Sequence, residues 1–231
     1  MDRYSTMGHE RAVVVQSEFI RRVYNWMGLG LVVTAVLALV TASNPAILKA
    51  VVGTPLFFVL IIAELGLVIA LSAAINRLSA ATATMMFFVY SALNGVTLSV
   101  IFVAYAKADI ANAFFATAGT FGAMSIYGYT TKRDLTEWGS FLMMGLFGVI
   151  IGSIVNMFFA STALYWAITY IAVFIFIGLT AYDTQTIKQM AAGGFATEET
   201  ERKGAVIGAL RLYLDFINLF LLFLRIFGRR D

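Results

Sequence analysis

Apolar residues in this chain are gathered into blocks about 20 residues long, the length a helix needs to cross roughly 30 Å of hydrocarbon. A helix on a soluble protein turns only one apolar stripe toward its core, so blocks that are apolar on every side belong in a bilayer. They predict an all-α, polytopic membrane protein. Composition agrees: 61% of the 231 residues are hydrophobic and 13% charged, with a mean hydropathy of +0.87, against about 25% charged in an average soluble domain. No polar segment is long enough to fold as a soluble catalytic domain, so function falls to the helices and their short loops.

Local signals set the boundaries. A first span runs from about Tyr24 to Ser43 and stops at Asn44-Pro45, where proline lacks a donor and pushes its predecessor out of helical geometry. Thr54-Pro55, a capping residue followed by proline at the first helical position, opens a second span that reaches about Ala74. Further spans are expected from Ser79 to Tyr105, Asp109 to Thr130, Trp138 to Phe159, from Ser161-Thr162 past Asp183, and from Ala205 to Phe227 after a polar stretch, Gly193 to Lys203. The expected architecture is a seven-transmembrane-helix domain, 23–228, between an N-terminal tail, 1–22, and a C-terminal tail, 229–231. The first tail mixes acidic and basic residues ahead of a full-length span, so it reads as a cytoplasmic tail and anchor, not a cleaved signal.

With the N-terminus inside, eleven Lys and Arg lie on the inner side, Arg77, Lys132 and Arg133 among them, and only Lys49 and Lys107 lie opposite. Arg225, Arg229 and Arg230 would then end outside, against the rule, unless the last block is a re-entrant hairpin. Gly148 and Gly152, continued by Asn156 and Ala160, form a small-residue face that serves either packing within the bundle or a dimer interface.

Ionisable groups at membrane depth cost a few kcal/mol each and are kept where something rewards them. Three acids qualify: Glu64 in the second span, Asp183 near the inner end of the sixth and Asp215 within the seventh. Arg211, Asp215, Asn218 and Arg225 fall on one helical face, which cannot look at lipid. Thr180, Asp183 and Thr184 put hydroxyls beside a carboxylate on the neighbouring span. Two carboxylates meeting in a low-dielectric site cannot easily both ionise, so the pair shares a proton and titrates as a unit, a pH sensor. Arg77 could pair with whichever acid is charged and act as a switch. Deprotonated, the oxygens of Asp183 and Asp215 suit a hard divalent cation such as calcium, with water or carbonyls completing six to eight ligands. Alternatively, the aspartates are structural ion pairs with Arg77 and Arg211. Glu64 is either a further ion-path ligand or a protonated acid bonded to nearby backbone, and Ser91 and Asn94 read as interhelical hydrogen bonds.

Other chemistries fail on inventory. There is no cysteine, and the single histidine, His9, lies in the N-terminal tail, which leaves no histidine metal cluster and no Ser-His-Asp triad. No phosphate-cradling loop or dinucleotide fingerprint occurs, and no basic run of the kind that binds nucleic acid. No resident cofactor is expected. The partners expected are the lipid bilayer, protons and calcium.

Two strings carry a family resemblance: Gly178-Leu179-Thr180-Ala181-Tyr182-Asp183-Thr184-Gln185-Thr186-Ile187, and Leu212-Tyr213-Leu214-Asp215-Phe216-Ile217-Asn218-Leu219-Phe220 followed by Leu224-Arg225. Together with Asn94-Gly95 and Arg77 they resemble the Bax inhibitor, or transmembrane Bax-inhibitor-motif, family along the whole chain, in its bacterial branch. The resemblance implies a seven-helix bundle with the last helix central, an inner-membrane location and a pH-dependent calcium leak. It also implies a di-aspartyl sensor at Asp183 and Asp215 with Arg77 closing the path, and in eukaryotic relatives a cell-death-suppressing role. The segment Ala191 to Lys203, with three glutamates, is longer and more acidic than that pattern. Three rivals stand beside the leak. Tyr182-Asp183 resembles one aspartate motif of intramembrane aspartyl proteases, although Asp215 lacks the second. A non-conducting protein could modulate a membrane protease or another membrane machine. A proton-coupled transporter is weakened by the lack of an inverted repeat.

Overall fold

A computed structural model describes the backbone of residues 2–228 and the side chains of residues 16–228. Within them nine helices and no strand occur: α1 (Asp2–Ser43), α2 (Pro45–Val52), α3 (Leu56–Ala74), α4 (Ala80–Leu98), α5 (Ile101–Ala104), α6 (Lys107–Thr130), α7 (Thr136–Phe159), α8 (Thr162–Gly193) and α9 (Glu198–Phe227). The expected tail boundary at residue 22 falls inside α1. The 229–231 tail with Arg229 and Arg230, and the side chains of Arg3, His9 and Arg11, lie outside the described residues.

Caps explain most boundaries. Asn44 ends α1 and its Oδ1 accepts the amides of Ala46 and Ile47 at 3.1 and 3.3 Å, so the Asn-Pro pair that stops one helix starts another, the two-turn α2. Thr54 Oγ1 accepts from the Leu56 amide at 3.2 Å, and Ser79 Oγ from Thr82 at 3.1 Å. The single helix expected from Ser79 to Tyr105 is broken at Ser99-Val100, where the Ser99 hydroxyl donates to the Val96 carbonyl at 2.6 Å. Gly194 takes a left-handed φ of +70°, which ends α8 at a residue without a Cβ penalty.

The stretch Gly193 to Lys203 does not separate the last two helices as expected, because α9 already begins at Glu198. Glu198, Glu199 and Glu201 sit in its first turn, where negative charge meets the positive end of the helix dipole. Arg202 and Lys203 pair with Glu198 and Glu199 one turn earlier, and Arg22 pairs with Glu201 at 3.0 Å. Its 30 residues run unbroken for about 45 Å, which rules out a re-entrant hairpin.

Among the described residues six helical stretches are long and apolar enough to cross a bilayer: Gln16–Ser43, Leu56–Ala74, Ala80–Ala104, Thr136–Phe159, Thr162–Gly193 and Glu198–Phe227. The remaining expected span, the fourth, corresponds to α6 and has the length, about 36 Å, but Asn112, Thr117, Thr120, Ser125 and several glycines dilute its apolarity. The outward faces are those of a membrane protein, with Phe58 and Ile62 of α3 68% and 69% exposed and Phe158 of α7 82% exposed.

The chain forms two compact units, whose described residues come from Met1–Ala106 with Ile187–Tyr213, and from Lys107–Thr186 with Leu214–Arg229. In the first, α1 buries Phe19, Val23, Met27, Gly30, Thr34, Ala38 and Thr41, a stripe at helical period. That stripe meets α4 closely: a Cβ on Gly95 would stand 2.5 Å from the Thr34 carbonyl, so only glycine allows this approach. In the second, Leu142, Phe176, Leu179, Leu219 and Leu222 belong to one core cluster from α7, α8 and α9. Gly128 of α6 lies directly on the Ala181 carbonyl, and Gly139 of α7 on the Tyr182 ring. Gln185 of α8 staples the α6–α7 loop, donating to the Arg133 carbonyl and accepting the Leu135 amide, both at 2.8 Å. On the Gly148 and Gly152 face, Gly152 packs toward Ile168, while Gly148 has open space around it.

Candidate functional site

All three acids expected at depth are buried: Glu64 and Asp183 at 9% exposure, Asp215 at 4%. They divide between the units. Asp183 and Asp215 belong to the second, Glu64 and Arg77 to the first.

In the second unit each aspartate stands one turn from a leucine of the shared core cluster, Asp183 after Leu179 on α8 and Asp215 before Leu219 on α9. Thr180 donates its hydroxyl to the Phe176 carbonyl at 2.8 Å, so its proton is committed to its own helix. Asn218, half-buried, likewise donates to the Leu214 carbonyl at 2.8 Å. Arg225 lies over the Tyr165 ring, 4.8 Å from its centroid, and donates to Thr169 Oγ1 at 3.2 Å. Arg211 is exposed, and so is Arg77, in the turn between α3 and α4 with no ion pair to any described residue. Among the described residues no three or more His, Cys, Asp or Glu side chains come together as a metal cage.

In the first unit Glu64 is held by side chains, not by backbone. Its Oε1 accepts the Thr97 hydroxyl at 2.8 Å, and its Oε2 accepts Asn94 Nδ2 at 3.1 Å. Asn94 Oδ1 accepts the Tyr213 hydroxyl at 3.1 Å, and Tyr213 meets Thr34 Oγ1 at 2.6 Å. Thr34 also reaches the Ser91 and Gly30 carbonyls at 2.8 and 2.9 Å. A polar relay thus joins α3, α4, α9 and α1 through Glu64, Asn94, Tyr213 and Thr34. Two hydroxyl protons serve more acceptors than they can satisfy at once, so the relay has alternative proton arrangements. Asn94 bridges helices as the sequence suggests, whereas the Ser91 hydroxyl turns to its own helix at Phe87. Tyr213 was not singled out by sequence periodicity; the usable signal is that a tyrosine at membrane depth needs a partner for its hydroxyl.

The chain matches the family model described as "Inhibitor of apoptosis-promoting Bax1" over residues 16–231. It is 53% identical to Inner membrane protein YbhL of Escherichia coli K12 over 215 residues, 92% of each chain. An uncharacterized protein of Borreliella burgdorferi is 47% identical over 223 residues, 96% of each chain. An uncharacterized membrane protein of Streptococcus pyogenes serotype M1 is 39% identical over 219 residues, covering 93% of this chain and 94% of its own.

Proposed function

The chain belongs to the Bax inhibitor family of multi-pass membrane proteins, and from that premise we propose that it is a pH-sensitive calcium leak pathway of the inner membrane, gated by Asp183 and Asp215. The observation that carries this reading is the burial of both carboxyl groups in one compact unit, each one turn from the same leucine cluster. Two buried acids held in neighbouring helices exchange a proton with the medium as a coupled pair, and their charge decides whether a cation is admitted. Calcium is the cargo, not a resident cofactor: two carboxylates supply too few of its ligands, and water accompanies it. On this reading the N-terminus faces the cytoplasm, α6 makes a seventh crossing, and Arg77 is the switch residue. Glu64, Arg211 and Asn218 line the remaining path, and the protein catalyses no covalent chemistry.

The test is calcium flux into proteoliposomes across about pH 5–8, comparing the parent with Asp183→Asn, Asp215→Asn and the double variant. A leak whose titration each single change shifts or abolishes, with no further loss in the double, supports the coupled gate. Absent flux, or flux unchanged in all three, refutes it and favours a non-conducting modulator of another membrane protein.

A further inference from the structure

The second unit holds a crevice of about 580 Å³ between α6, α7 and α8, separate from the aspartate pair. Its walls are almost entirely apolar. On α8 its lining runs from Ile171 to Tyr182, a twelve-residue stretch whose ends lie about 16 Å apart along the helix. That depth matches one leaflet, half of a hydrocarbon core about 30 Å thick. Phe174 and Trp138 beside the opening are 72% and 63% exposed on helices long and apolar enough to cross, so the crevice opens into lipid, not water.

The charged end closes the argument. Arg133 and Asp134 stand at the mouth. Asp134 is folded back: its Oδ1 accepts the Thr136 amide at 2.9 Å and the Thr136 hydroxyl at 2.6 Å. Arg133 is held by its backbone, its amide donated to Thr131 Oγ1 at 3.2 Å and its carbonyl accepting Gln185. Its exposed guanidinium, with Lys132 beside it, is therefore offered from a fixed loop at the membrane interface, where Trp138 and Tyr127 form an aromatic rim. A guanidinium pairs with phosphate through two parallel hydrogen bonds.

We propose that this crevice is a phospholipid site: one acyl chain of a glycerophospholipid lies along α8, and Arg133 binds its phosphate. The proposal does not depend on the calcium reading. A bound lipid would brace the loop that Gln185 fastens to α8, two residues beyond Asp183.

Native mass spectrometry and thermal unfolding of the delipidated full-length protein in detergent test it, with phosphatidylglycerol, phosphatidylethanolamine and a diacylglycerol of the same chains as probes. Both phospholipids are expected to bind one per chain and to raise Tm with the logarithm of their concentration, the diacylglycerol more weakly. Arg133→Gln weakens the phospholipids about tenfold to a hundredfold, the worth of a charge-assisted hydrogen bond, and leaves the diacylglycerol unchanged. Ile171→Trp, which fills the crevice from an exposed position, removes all three. Because Arg133 is an exposed loop residue, its result stands even if the tryptophan variant fails to fold. Equal binding of diacylglycerol and phospholipid, or phospholipid binding unaffected by Arg133→Gln, overturns the proposal. So does a parent dimer without lipid that Ile171→Trp splits into monomers, which would give the crevice to a second copy.

Discussion

Replacing Tyr213 by phenylalanine takes one oxygen from the Glu64 relay and leaves the ring edge-on to Phe87 and Tyr90, at 5.8 and 5.6 Å. The cost follows from the proton count. Thr34 keeps the Gly30 and Ser91 carbonyls as acceptors, so only Asn94 Oδ1 loses its donor. One orphaned buried acceptor costs about 1–3 kcal/mol in soluble cores, and hydrogen bonds between membrane helices average about 0.6 kcal/mol with a maximum near 1.7. The expected loss is about 1 kcal/mol, a fall in Tm of about 2–4 °C for a chain of this size. Asn94→Leu removes two bonds, to Glu64 and to Tyr213, and is expected to cost about twice as much. The two changes share a bond, so the double variant falls short of their sum by about 0.5–1 kcal/mol. Reversible unfolding in mixed micelles measures all four proteins. Strict additivity, or a Tyr213→Phe variant as stable as the parent, refutes the relay.

Two further outcomes are expected. Gly128→Ala drives a Cβ into the Ala181 carbonyl, backbone that cannot swing aside, and costs about 1–3 kcal/mol; Gly148→Ala meets open space and gains about 0.5–1 kcal/mol. Equal effects of these two changes in the same unfolding assay would show that α6 and α8 do not approach so closely. The Thr136 hydroxyl, and then its amide, hold the Asp134 carboxyl below the ordinary aspartate range. A lowered folded value means that the Asp134–Thr136 hydrogen bonds stabilise the turn ahead of α7 above the unfolded value, about 3.9, and that this contribution is lost as pH falls through the folded one. A carboxyl-carbon titration by NMR is expected to place the Asp134 midpoint below about 3.9, and a midpoint at or above it refutes the two hydrogen bonds from Thr136.

Helix ends were legible in the sequence wherever chemistry was local. Asn44-Pro45, Thr54-Pro55 and Ser79 act through their own backbone neighbours, so a few residues suffice to read them. Burial of Glu64, Asp183 and Asp215 was legible because the surrounding residues leave them no aqueous alternative. The early start of α9 was hidden, since a polar run with two glycines and three glutamates looks like a linker until Arg22, far away in sequence, is found against Glu201. The relay was hidden for the same kind of reason. Periodicity tells which residues share a face of one helix, but not which face of another helix they meet, and so Tyr213 could not be joined to Asn94 and Thr34.

Of the 24 residues of α7 only Gly139 and Leu142 are buried. Leu146 and Val149 pack partly against the core cluster; most of the other side chains meet solvent hydrocarbon, a fluid that adapts to any shape and rejects only charge. Selection on them is accordingly loose in form and strict in polarity, so α7 can drift among Phe, Ile, Met and Leu over long divergence while the helix stays in register. Its two buried positions are where that freedom ends. A comparison of relatives would find α7 the least alike in letters and among the most alike in character.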